Sequence, residues 1–306
     1  MTDLPLAPPA PMPFRVLVDE AMRYTRRYFR AIYPSVAIPV ALLAGLVAVV
    51  QAFWYGRLAE GQGTPADLVG GCATVLVALA LLLVMGFGYA ALHVAAVDVT
   101  LGRPIDMRRA WAFPFRLPVL GTSILAGLAV GAAFLLCILP GFYVAPLLSF
   151  VLPVMVTEAR FGTDALSRSS ELTKWSPTGR FTDSALVKAF LLMILTMALS
   201  YTLGLLVALP FQAPMYIDMF RSAAAGEEPS LEKMAMWMWL QVPAQIVSAL
   251  VNVALYLYTS FCTAMLFLDT RGRKEGSDLW AAIDQTFGAP PSAPPVPPVP
   301  PPGAPF

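Results

Sequence analysis

Histidine occurs once in this chain, at position 93, and asparagine once, at position 252. Metal-assisted or acid–base hydrolysis needs clustered carboxylates and usually histidines to hold metal and move protons. A lone His93 cannot supply separate acid and base, so neither an enzyme activity nor a bound cofactor is expected. The three cysteines, Cys72, Cys137 and Cys262, all fall inside apolar runs. Their spacing matches neither a metal site nor a redox pair, and they read as small buried hydrophobes. Charge is equally scarce. Asp, Glu, Lys and Arg make up 13% of the chain, against roughly 25% in a soluble domain. The opening MTDLPLAPPAPMP has no charged n-region and no apolar h-region, so no cleavable leader is expected.

What remains is apolar. Hydrophobic residues make up 58% of the chain, and the mean hydropathy is +0.69. The stretches 33–56, 68–97, 117–157, 189–217 and 234–268 contain no charged residue. About 20 apolar residues cross the hydrocarbon core of a bilayer as a helix. ILPGFYVAP (138–146) carries turn residues and divides the third block in two. The last block, with its Trp- and Met-rich lead MAMWMWLQVP, reads as one long or tilted helix. The expectation is an all-α integral membrane protein with six transmembrane helices arranged as three hairpins.

Seventeen of the 20 basic residues lie in four alternating segments: the N-terminus, 98–116, 158–188 and the stretch after 268. Arg57, Arg221 and Lys233 lie on the other side. Basic residues mark the cytoplasmic face, so both termini are expected inside. The segment FRVLVDEAMRYTRRYFR (14–30) places Phe14, Leu17, Val18, Ala21, Tyr24 and Tyr28 on one helical face and arginines opposite. It is expected to be an interfacial amphipathic helix, apolar face toward lipid. Similar cytoplasmic interfacial segments are expected after the second, fourth and sixth spans.

Those three returns share a pattern. Asp98, Glu158 and Asp269 each end an apolar run, and Gly102, Gly162 and Gly272 follow. Asp106, Thr163 and Ser277 are the N-cap candidates for the polar segments beyond. A carboxylate at a helix C-terminus opposes the macrodipole and needs a partner. Arg103 follows Asp98, Arg160 and Arg168 follow Glu158, and Arg271 and Arg273 follow Asp269. These eight residues are the expected structural charge cluster, an ionic clamp joining the hairpins. The alternative is a cation or phosphate-headgroup site.

No acid or base falls mid-span, which counts against an ion-coupled transporter. His93 reads as a satisfied intramembrane residue. Gln245 and Asn252 form the candidate polar membrane path, with an interhelical hydrogen bond as the plainer role for Asn252. Gly127/Gly131 and Ser200/Gly204 have small-xxx-small spacing and read as close helix packing.

LPVMVTEARFGTDALSRSSELTKW (152–175), together with FLDTRGRKEGSDL (267–279), resembles the multi-pass bacterial family named the glycerophosphoryl diester phosphodiesterase membrane domain. The resemblance covers about residues 14–284. Phe267 and Leu268 replace the usual aromatic pair, and Ser169-Ser170 stands where an aromatic is common. In that family the catalytic domain is a separate soluble module present in some members. The resemblance therefore implies a membrane part without catalysis, in a bacterial inner membrane.

Three regions follow: a disordered Pro-rich 1–13, a membrane domain over 14–284, and a disordered Pro-rich cytoplasmic tail over 285–306. The tail's ten prolines in 289–306 favour an extended polyproline II conformation. The functional expectation is a scaffold or accessory subunit in envelope or lipid-related processes. The alternative is a passive conduit for lipid or a small solute. Membrane lipids and a membrane-protein partner are the expected associates, and nucleic acid is not.

Overall fold

A computed structural model describes residues 12–59, 65–174, 181–226 and 231–287. The Pro-rich N-terminus up to residue 11 and the tail from residue 288 lie outside the described residues. Among the described residues there is no strand. Nine α-helices follow one another there: α1 (Phe14–Ala59), α2 (Pro65–Thr100), α3 (Met107–Ala112), α4 (Leu117–Leu136), α5 (Ile138–Leu147), α6 (Val151–Glu158), α7 (Thr163–Thr173), α8 (Ala185–Ala225) and α9 (Leu231–Phe287). Six stretches are long and apolar enough to cross a membrane: Phe14–Arg57, Gly70–Thr100, Leu117–Leu136, Ile138–Glu158, Ala185–Ala225 and Met236–Gly276. The chain is thus a multi-pass, all-helical membrane protein.

Helix α9 is the hub, packing against α1, α2, α7 and α8. Two thirds of its apolar span is buried, against 6% for α8, so α9 is wrapped by protein while α8 lies outside. Helices α1 and α9 run antiparallel in register. Met12 meets Asp269, Tyr24 and Tyr28 pack on Phe261, and the Tyr33 hydroxyl donates to the Leu250 carbonyl at 3.0 Å. Helix α2 joins them where glycine permits. A Cβ on Gly88 would stand 2.8 Å from Val36 Cγ1, so only glycine fits that crossing.

The amphipathic segment 14–30 is not a separate interfacial helix. It is the first part of α1, which continues without a break to Ala59. Leu17, Ala21, Thr25, Ile32, Val36, Val40 and Ala44 are all buried, at spacings of four and seven residues that form a stripe winding slowly round the one helix. Its apolar face packs on α9 rather than on lipid, because Leu17, Ala21, Leu257, Phe261, Leu266 and Phe267 are fully buried together. Pro34 and Pro39 are accommodated inside the helix, which neighbouring helices permit in membrane proteins.

Two other boundaries differ from expectation. The break in the third apolar block falls at Cys137, whose φ of −171° is extended, and not within Pro140–Gly141. Helix α9 does not end at Gly272 but runs on to Phe287, so Ser277 is within the helix rather than at an N-cap. Gly102 and Gly162 do take positive φ, +72° and +64°, at the two turns where the chain reverses. Asp106 caps α3, accepting from the N–H groups of Arg108 and Arg109. At α7 the cap is Gly162 and Thr163 is the first helical residue.

Candidate functional site

The acids at the ends of α2 and α6 and in α9 stand in three different settings. Glu158 closes α6 and is followed by Ala159 in the left-handed region, φ 52°. The turn is held by Thr122, whose Oγ1 accepts the Gly162 N–H at 2.6 Å. This places the Glu158 carboxylate, 8% exposed, against three arginines: Arg168 Nε at 3.0 Å, Arg160 Nε at 3.4 Å and Arg271 Nε at 3.8 Å. Glu275 then bridges Arg168 and Arg271, the latter at 2.7 Å. Burial alone would lower the Arg168 pKa. The hydrogen bond and charge of Glu158, with the charges of Glu275 and Glu171, outweigh burial and hold it above its ordinary value. One network thus ties α6, α7 and α9.

Asp269 does not belong to that network. It receives Arg273 Nη2 at 2.9 Å from its own helix and the Met12 backbone N–H at 3.2 Å. Lys188, 1% exposed at the start of α8, donates to the Met12 carbonyl at 2.7 Å. The chain just before α1 is thereby pinned between α8 and α9. Asp98, 2% exposed, pairs with Arg103 at 3.3 Å and Arg109 at 3.8 Å, both in the connection leaving its own helix. The eight charged residues singled out from sequence therefore form three local groups, of which the Glu158 group and the Asp269 group each join several elements. Glu275, Arg109, Lys188 and the Met12 backbone were not among them. Glu275 stands four residues after Arg271, an ordinary ion-pair spacing on a helix, and would have been legible had α9 been read as continuous.

At mid-helix depth a hydrogen-bonded pair joins α8 to α9. Ser200 of α8 donates to Asn252 Oδ1 at 3.0 Å, and Asn252 Nδ2 donates to the Ser248 carbonyl at 2.9 Å. Gln245 is exposed on α9, two helical turns before Asn252, and neither lines the cavity described next. That cavity, about 360 Å³, lies between α2, α5, α8 and α9, with His93, Ser149, Thr196, Thr259 and Thr263 on its wall. His93 Nδ1 is 3.0 Å from both the Tyr89 carbonyl and Ser260 Oγ. Among the described residues no group of three or more His, Cys, Asp or Glu could hold a metal ion.

Among the described residues Gly127, Gly131 and Gly204 do not serve close helix packing, whereas Ser200 bonds across to α9. A Cβ on Gly127, Gly131 or Gly204 would meet no atom within 4 Å. Cys262 is buried, whereas Cys72 and Cys137 are exposed. No protein-family model matches the chain, and no curated protein or solved structure matches it.

Proposed function

We propose that this chain is a non-catalytic scaffold or accessory subunit of a bacterial inner membrane, serving a protein partner in envelope or lipid-related processes. The observation that carries the reading is where the polar groups are spent. Asn252 is engaged with Ser200 and Ser248, His93 through Nδ1 with Tyr89 and Ser260, and the Glu158–Arg168–Glu275–Arg271 network in fastening α6 and α7 to α9. A bundle cross-tied in this way is a frame that presents fixed outer faces. The alternation of basic segments supports three hairpins with both termini cytoplasmic. The resemblance of residues 152–175 and 267–279 to the phosphodiesterase membrane-domain family supports a membrane module that works apart from any catalytic domain.

The test is purification of the full-length chain in nanodiscs, with mass spectrometry of co-purifying proteins. A stoichiometric partner is expected. A chain that purifies alone and moves lipid or solute across liposomes would replace this reading with the second one, a passive conduit. That second reading draws on the cavity beside His93.

A further inference from the structure

A second hollow, about 760 Å³, opens between α1, α8 and α9. Its wall is apolar along Leu199 and Leu203 of α8 and Val251 and Leu255 of α9. On its α1 side, beside Met22, Thr25 and Phe29, stand Arg26 and Arg30, four residues apart and both exposed. Elsewhere on that helix the arginines Arg15 and Arg23 are paired, with Asp19 and Glu20. Among the described residues neither Arg26 nor Arg30 is in an ion pair.

The groove has a polarity that matches an amphiphile. Arg30 falls just before the charge-free stretch 33–56, which at 1.5 Å per residue is about 36 Å long, enough for the ~30 Å hydrocarbon core. The two arginines therefore stand at headgroup level. The Tyr33–Leu250 hydrogen bond fixes the neighbouring Val251 at the level where that stretch begins. The Ser200–Asn252 bond sets Leu199 at about the same level, and Leu203, one turn further along α8, reaches into the hydrocarbon, while Leu255 and Tyr258 of the antiparallel α9 stand beside the arginines.

We propose that this groove holds one phospholipid with a negatively charged headgroup. The phosphate is received by Arg26 and Arg30, and an acyl chain lies against Leu199, Leu203 and Val251. Two unpaired guanidiniums offer bidentate donors that fit phosphate geometry, while a zwitterionic headgroup would bring a cation to the same place. The inference rests on the membrane placement argued above and not on the existence of a protein partner.

The test is native mass spectrometry of the full-length chain in mild detergent, incubated with equal amounts of phosphatidylglycerol and phosphatidylcholine of matched acyl chains. One retained phosphatidylglycerol, preferred over phosphatidylcholine, is expected. Each arginine near a membrane surface is worth roughly fivefold in affinity for anionic lipid, so Arg26→Gln/Arg30→Gln should cut the preference about 25-fold. Arg15→Gln/Arg23→Gln removes the same charge from the same helix and should keep it. Ala254→Trp, filling the groove, should reduce retention of both lipids. Equal retention of the two lipids by the wild type would overturn the proposal, as would identical loss in the two double variants. A wild type that brings down a protein partner but shows no lipid preference would overturn it while leaving the accessory reading intact.

Discussion

Glu158 concentrates more charge contacts than any other acid among the described residues, with three arginines inside 4 Å. Removing one partner of a buried ionic group costs about 3–5 kcal/mol, because the remaining charge stays desolvated. Arg160 and Arg271 are partly exposed and Glu275 still holds Arg168, so the loss here belongs below that range. Glu158→Gln should destabilise by about 2 kcal/mol, read as a fall of roughly 5 °C in thermal unfolding in detergent. Asp98→Asn breaks only contacts within its own connection and should cost less than half as much in the same assay. Equal losses for both would mean that joining elements adds nothing to pairing. Asn252→Leu should cost about 0.6–2 kcal/mol through the lost Ser200 bond, and thermal unfolding of Ser200→Ala should show a loss that does not add to it.

At the scale of the helix, the two kinds of glycine give opposite expectations. Gly88 has Val36 2.8 Å from where its Cβ would stand, whereas Gly127 has nothing within 4 Å. Gly88→Ala should destabilise by about 1–3 kcal/mol through overpacking. Gly127→Ala should stay within about 0.5 kcal/mol. Chemical or thermal unfolding in detergent distinguishes them, and a damaging Gly127→Ala would show that α4 packs on something outside this chain.

Spans were legible in sequence because the absence of charge over 20 or more residues has one dominant cause. Ends were less so. Helix α9 has a charge-free run of 35 residues (234–268), far longer than a bilayer needs, because its second half is surrounded by protein: Leu257, Phe261, Leu266 and Phe267 are fully buried. Hydropathy reports apolarity and not whether lipid or protein supplies it. Gly272 looked like a stop, yet two pairs at i,i+4, Asp269–Arg273 and Arg271–Glu275, run across it and keep the helix intact. For the charged residues, the sequence located the carboxylates that need partners, since each ends a long apolar run. It could not show which arginine would arrive from another helix. That depends on tertiary register, and Arg168 reaching both Glu158 and Glu275 has no short-range signature.

On the scale of the whole molecule, the account makes one claim about orientation. The register of α1 against α9 sets the Asp269 and Glu158 groups beyond the charge-free part of α1. Residues 14–30 add roughly 25 Å of helix there at 1.5 Å per residue. The charge-tied end should therefore stand clear of the hydrocarbon, on the cytoplasmic side. The most direct measurement is labelling of single cysteines introduced at Arg15, Arg108 and Arg160 in a cysteine-free background. A membrane-impermeant maleimide would be applied to intact spheroplasts and to inverted vesicles. All three positions should react in inverted vesicles and stay unlabelled in spheroplasts. Labelling of any of them from the outer face would contradict the topology and, with it, a cytoplasmic ionic frame.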